Sequence, residues 1–240
     1  MREATWLVIA AWREATAVGA VVTNLRTAGW PHVVVVDDGS DDATAAVARD
    51  AGAWSLRHVL NRGQGAALQT GIRFALQRGA RVVVTFDADG QHRVDDLPAL
   101  VGPVWRGEVH AALGSRFLDH AAQVPPARRV LLAAAIVFGR VVSGVRLSDA
   151  HNGLRALSGE LAAGLDLEMD RMAHASEIVD QIARSGLAFR EVSVRIDYTA
   201  YSIAKGQSGR AALRIAFDYL VGRLLGQSVA RWSGRPGGAP

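Results

Sequence analysis

The chain has 240 residues, 50% of them hydrophobic and 21% charged, no cysteine, and a formal charge of +4. At roughly 150 residues per domain this is one large domain or two small ones, and the composition excludes a disordered chain. The lack of cysteine excludes a disulfide framework, Cys-ligated zinc and a thiol nucleophile.

In chain order, WLVIAA (6–11) reads as a buried strand, and Ala15–Ala28 as a helix stopped by Gly29 and Pro31. HVVVVDD (32–38) is a β-branched strand that ends in Asp-Asp-Gly-Ser, followed by a helix over Asp41–Ala51. Trp54–Val59 reads as a short strand. Gly65–Arg78 reads as a helix with Leu68, Ile72, Ala75 and Leu76 on one face, and RVVVTFDAD (81–89) as a further apolar strand. The second half is less regular: Val109–Gly114 and Phe189–Ile196 read as strands, and Arg128–Val145, Ala173–Ser185 and Arg210–Leu225 as helices.

Strands that are continuously apolar and alternate with helices imply an α/β fold, a mostly parallel sheet flanked by helices on both faces. No linker or repeat divides the chain, so one domain is expected over 1–232, with a Gly/Pro-rich, disordered tail at 233–240. The N-terminus lacks the shape of a signal peptide. The apolar run Val130–Gly139 is far short of the roughly 20 residues that span a bilayer. The expected protein is cytoplasmic, at most peripheral at the inner face of the cell membrane. No long block of like charges points to nucleic acid.

In such sheets ligands bind beyond the carboxyl ends of the strands, and two strands end there in acids. Asp87 and Asp89, two apart after a strand, can converge on a hard cation such as Mg²⁺ or Mn²⁺, with Gln91 or His92 as a further ligand. The plain alternative is a polar Asp-Gly turn. Asp37 and Asp38 can accept hydrogen bonds from a base or a ribose, or can form an Asx turn around Gly39. Asp41 and Asp42 are explained by a helix start with Ser40 as its N-cap. NRGQGAALQTG (61–71) opens a helix with glycines, yet it is not a P-loop, because no Gly-Lys-Ser/Thr follows.

Taken together, LVIAAWRE, VVVVDDGSDDAT, NRGQGAALQTGIRFAL, VVVTFDADGQH and GSRF, over roughly residues 6–118, resemble the family 2 glycosyltransferases of the GT-A fold. The resemblance is strongest to the dolichol- or polyprenol-phosphate sugar synthase branch. It continues through DAHNGLRALS (149–158), which is similar to the family's Asp-x-x-x-Gly-Phe-Arg segment with Leu154 in place of Phe. It also covers the arginine pair and helix of ARRVLLAAAIVFGRVVSG, and YTAYSIAKGQS (198–208). One departure is that Ala10-Ala11-Trp12-Arg13-Glu14 stands where the family has Pro-Ala-Tyr-Asn-Glu.

The resemblance implies a metal-dependent, inverting transfer of a sugar from a nucleotide-sugar donor, with a polyprenyl phosphate or a glycan hydroxyl as acceptor. It implies that Asp37 and Asp38, helped by Ala10 and Glu14, bind the nucleoside. Asp87 and Asp89, with Gln91, would hold Mg²⁺ or Mn²⁺ and the diphosphate. Gly65, Ala88, Arg116, Arg128 and Arg129 complete the donor- and phosphate-binding set, and Lys205 would close over the donor. Asp89, Asp149 and Lys205 are the expected catalytic residues, with Asp149 or Glu177 as base if a hydroxyl is the acceptor. The plain reading of Glu177 is a solvated helix face, and that of Asp149 an N-cap or turn. The competing readings are a metal-dependent nucleotidyltransferase and a non-catalytic binding module.

Overall fold

The computed structural model describes residues 1–119, 147–149, 152–167 and 173–197. Among these residues, seven strands form one sheet. They are β1 (Thr5–Ala11), β2 (His32–Asp37), β3 (Trp54–Arg57), β4 (Val82–Asp87), β5 (Ala111–Ser115), β6 (Arg155–Ser158) and β7 (Phe189–Ser193). Their spatial order is β3-β2-β1-β4-β6-β5-β7. All neighbouring pairs are parallel except β6, which runs antiparallel to both β4 and β5. The helices are α1 (Val18–Thr27), α2 (Thr44–Asp50), α3 (Gln64–Gln77), α4 (Leu97–Trp105), α5 (Gly159–Gly164) and α6 (Ala173–Ser185).

The strands read as continuous apolar runs because both faces of the sheet are covered. Leu7, Ile9, Val33 and Val35 pack on one side with Val22 and Leu25 of α1 and Leu100 of α4. Trp6, Val8, Val34 and Val36 pack on the other with Leu68 and Ile72 of α3, Leu161 of α5 and Ile178 of α6. The period of two persists along each strand, but both of its phases are apolar. Gly71 lets α3 lie directly on the sheet: a β-carbon there would stand 2.3 Å from Val8 Cγ1.

The topology gathers the chemistry on one edge. β1, β2, β3, β4 and β5 all end there, and the inverted β6 begins there. Register sets the neighbours: Ala11 lies opposite Asp37, and Ala10 opposite Asp87, so the small residues at the end of β1 separate the two acidic strand ends. Arg155, the first residue of β6, lies opposite Thr85 of β4 and Leu113 of β5.

Several elements differ from the sequence expectation. α1 starts at Val18 rather than Ala15, because the Glu14 carbonyl first closes a turn with the Ala17 and Val18 N–H groups. α2 starts at Thr44, so Asp41 and Asp42 precede the helix and Ser40 is not its cap. The Ser40 hydroxyl instead accepts the Arg13 N–H, at 2.9 Å. β6 and α4 carry no sequence signal of the expected kind: β6 has four residues, and α4 contains Pro98 at its start and Pro103 inside. The expected helices over 128–145 and 210–225, and the tail at 233–240, lie outside the described residues.

Candidate active site

The two acids that end β2 are buried and serve differently. Asp38, 2% exposed, is saturated: its carboxylate accepts the Arg62 N–H at 3.0 Å, the Gly63 N–H at 2.7 Å and His58 Nδ1 at 2.7 Å. It thereby pins the loop that leads into α3. Asp37 accepts only the Ser40 N–H through Oδ1, at 3.0 Å. Its Oδ2 is buried without a hydrogen bond and has Arg57 Nε at 3.4 Å. Gly39, directly after them, has φ +72°, and a β-carbon would stand 2.6 Å from the Asn61 N, so the turn is pressed against the loop that Asp38 holds. Asp37 therefore keeps one buried oxygen without a hydrogen bond, where Asp38 keeps none.

Trp12-Arg13-Glu14 lies beside this turn. Arg13 adopts φ 55°, a left-handed conformation uncommon for a residue with a side chain. The departure from the family's Asn falls on this residue, and Asn tolerates that region better than Arg. The strained turn is held by the Ser40 contact and by two bonds from the guanidinium to Asp41, both 2.7 Å. Glu14 is buried, and its N–H is bonded to Thr44 Oγ1 at 2.9 Å.

At the end of β4, Asp87 and Asp89 are half-buried on either side of the buried Ala88. His92 donates from Nε2 to Asp87 Oδ2 at 2.8 Å, with its ring edge-on to Phe86. Burial raises the Asp87 carboxyl, but the charge and hydrogen bond of His92, with Arg155 and His174 beyond, outweigh it and hold it below the usual carboxylate range. Asp89 accepts the Gln91 N–H at 3.1 Å and also the Gln91 side-chain amide. The loop is fastened to the chain after β7, since the Asp197 N–H reaches the Gln91 carbonyl at 2.9 Å and His92 bridges Ile196.

Among the described residues, no group of three or more His, Asp or Glu is arranged to hold a metal ion. Two carboxylates at a strand end nevertheless suit Mg²⁺ or Mn²⁺, which commonly take one or two protein carboxylates and complete the shell with water and substrate phosphates. Gln91 is turned toward Asp89, and His92 stands behind Asp87 as a hydrogen-bond donor, the place of a residue that orients a metal ligand.

At the end of β5, Arg116 and Asp149 form a buried ion pair. Asp149 accepts Arg116 Nε at 2.6 Å and the Arg116 N–H at 3.1 Å through Oδ2, and Nη2 at 3.3 Å through Oδ1. The carboxylate considered as a base is thus committed to an arginine. Glu177 on α6 is 2% exposed, so the solvated-face reading is overturned.

Arg155 was not singled out from sequence as a site residue. It is 2% exposed, and its Nη2 is buried without a hydrogen bond. Burial pushes the guanidinium down to about 10, against the opposing pull of Asp87 and Asp149. The Arg of DAHNGLR was the available signal, but only the inversion of β6 shows that it lies between the two carboxylates. Arg128, Arg129 and Lys205 lie outside the described residues. Gly65 is buried in the first turn of α3.

Comparison with known proteins accords with this arrangement. The chain is 28% identical to the UDP-N-acetylglucosamine–dolichyl-phosphate N-acetylglucosaminyltransferase of Methanococcus voltae, over 90% of this chain and 94% of that one. It is 31% identical to the polyprenol monophosphomannose synthase of Mycolicibacterium smegmatis, over 77% of this chain and 73% of that one. Its fold is similar to that of glucosyl-3-phosphoglycerate synthase from Mycobacterium tuberculosis, crystallised with Mn²⁺ and UDP-glucose. The TM-score is 0.67 at 22% identity, covering 93% of this chain and 78% of that one. The architecture is the GT-A fold, and the expected α/β class holds. Residues 6–131, more than half of the chain, match Glycosyl transferase family 2. With the acids of β2 and β4 brought to one sheet edge inside that matched stretch, the chain belongs to the family 2 glycosyltransferases.

Proposed function

We propose that the enzyme moves a hexosyl group from a nucleoside diphosphate sugar to a polyprenyl-type phosphate, with inversion. The observation that carries this reading is the order of groups along one sheet edge. Asp37 ends β2, Asp87 ends β4 with Asp89 two residues on, and Arg116 directly follows β5. A nucleoside, a diphosphate and an acceptor phosphate can be laid across these groups in that order. The named relatives act on dolichyl or polyprenol phosphates.

Asp87 and Asp89 would hold Mg²⁺ or Mn²⁺, which supplies positive charge to the diphosphate as it departs. His92 orients Asp87. The anomeric carbon loses its bond to the diphosphate oxygen, and that electron pair leaves on the nucleoside diphosphate. An oxygen of the acceptor phosphate forms the new bond from the opposite face. Such an acceptor is already anionic, so no proton has to be removed, and a positioned guanidinium such as Arg116 is what it needs. This agrees with Asp149 being bound to Arg116 instead of standing open as a base. A lipid-linked acceptor would place the chain at a membrane face; no helix among the described residues is long and apolar enough to cross one.

The test is thermal unfolding with UDP-, GDP- and dTDP-sugars in the presence of Mn²⁺, where the true donor raises the midpoint by binding the native state. With that donor, a polyprenyl phosphate should yield a lipid-linked sugar. Transfer to a glycan hydroxyl alone would overturn the acceptor assignment, and no shift with any nucleotide sugar would overturn the donor assignment.

A further inference from the structure

The residues around Arg116 are tied to a carboxylate that no motif includes. Glu191 lies on β7, in register with Leu113 of β5, and is half-buried. Its Oε1 accepts the Ser148 N–H at 2.8 Å, the Ser148 hydroxyl at 2.7 Å and the Asp149 N–H at 3.1 Å, while Oε2 accepts the Ser148 N–H at 3.0 Å. No ion pair is made by Glu191 among the described residues. Its charge is spent on aligning the donors of one dipeptide.

The direction of the network follows from donor and acceptor chemistry. An ionised carboxylate only accepts, so the Ser148 hydroxyl gives its proton to Glu191. Ser148 Oγ lies 2.6 Å from Ser115 Oγ and must therefore accept from it. Ser115 Oγ in turn receives the Phe117 N–H at 3.2 Å. Asp149, whose backbone Glu191 holds, carries both the backbone and the guanidinium of Arg116. Residues 115–117, where the chain leaves β5, and residues 148–149, where it returns, are thus stitched together around Arg116, and the stitch is rooted on β7.

We propose that Glu191 is a positioning residue: acting through Ser148 and Asp149, it sets the Arg116 guanidinium at the acceptor phosphate. This rests on the proposed reading of Arg116 as a phosphate contact. The rigid root is β7, which is held to β5 from Phe189 to Ser193, and the arginine's place depends on two links that Glu191 aligns.

The experiment is steady-state transfer to a polyprenyl phosphate at saturating nucleotide sugar and Mn²⁺. Glu191→Ala should raise the acceptor KM about tenfold, within the range for losing a residue that supports a ligand contact. Its thermal shift with donor and Mn²⁺ should stay at the wild-type value. Glu191→Gln should recover most of the loss, because the amide oxygen can occupy the place of Oε1. In an Arg116→Ala background, Glu191→Ala should change the KM by less than about twofold, since coupled residues are not additive. Ser148→Ala, which removes only the hydroxyl link, should move the KM the same way by less and should be equally silent in that background, so the test does not depend on Glu191→Ala folding. Additive effects in the double variants would overturn the positioning role and leave Arg116 as a phosphate contact. A silent Arg116→Ala, or a wild type inactive on the lipid phosphate, would overturn both.

Discussion

Gly153 lies directly against the Asp87 carboxylate: a β-carbon at position 153 would stand 2.4 Å from Oδ2 and 2.5 Å from Oδ1. The segment cannot retreat easily. The Gly153 carbonyl accepts Thr85 Oγ1 at 2.6 Å, and the Leu154 N–H is held by Asn152 Oδ1 at 3.0 Å. The glycine is a condition for the position of Asp87.

Gly153→Ala should force Asp87 to rotate away from His92. Overpacking of this kind costs about 1–3 kcal/mol, readable by chemical denaturation. Mn²⁺-dependent stabilisation by the donor should fall at the same time. A variant with unchanged Mn²⁺ dependence would show that Asp87 does not hold the ion.

Asp89 offers the cleaner separation of stability from activity. Among the described residues its carboxylate is bonded to Gln91, within its own loop. Asp89→Ala should therefore leave the unfolding free energy within about 1 kcal/mol of wild type. Mn²⁺-dependent transfer from the nucleotide sugar should be lost. Retained transfer in a folded variant would remove Asp89 from the site.

The tandem acids of β2 should separate in the same way. Asp38→Ala strands the donors of Arg62, Gly63 and His58, and the loss should be about 3 kcal/mol, since an unanswered buried donor is costly. Asp37→Asn should unfold near the wild-type midpoint but bind the donor nucleotide at least about tenfold more weakly, the worth of one charge-assisted bond. Urea unfolding checks the first variant, and calorimetric titration with the nucleotide that gives the largest thermal shift checks the second.

Arg155→Met should move the Asp87 carboxyl up toward the ordinary carboxylate range, because it removes one of the cations that hold it down, while Asp87 keeps His92 and Asp149 keeps Arg116. The pH dependence has a definite sign. Arg155 is a base whose folded-state value is depressed, to about 10. The cost of burying its charge is fully present below that pH and is relieved only as pH rises above it. The stability difference between variant and wild type should thus be flat from neutrality to about pH 9 in urea unfolding. A slope through neutral pH would mean that another titrating group reports on this position.

Much of the N-terminal half was legible in the chain. The strands of β1, β2 and β4 and the helix α3 are long and unmixed in period, so their existence and order follow from composition and spacing. The acids at the ends of β2 and β4 were identifiable because a polar pair after an apolar strand has to lie at the strand's carboxyl end. Helix starts were less legible. Asp41, Asp42 and Ser40 had the composition of an N-cap, but long-range bonds to Arg13, Glu14 and Ala15 claimed this segment instead.

The sequence by itself determined the fold class, the order of the first four strands and the presence of two acidic strand ends, because these depend on local periodicity and on where apolar runs stop. Only the tertiary structure decided which acid is saturated, that Arg155 lies between Asp87 and Asp149, and that Asp149 is bound to Arg116. Those outcomes depend on the inversion of β6 between β4 and β5 and on contacts between residues far apart in the chain. A four-residue strand has too little pattern to announce its direction, and a carboxylate's partners are set by the register of strands that local sequence does not encode.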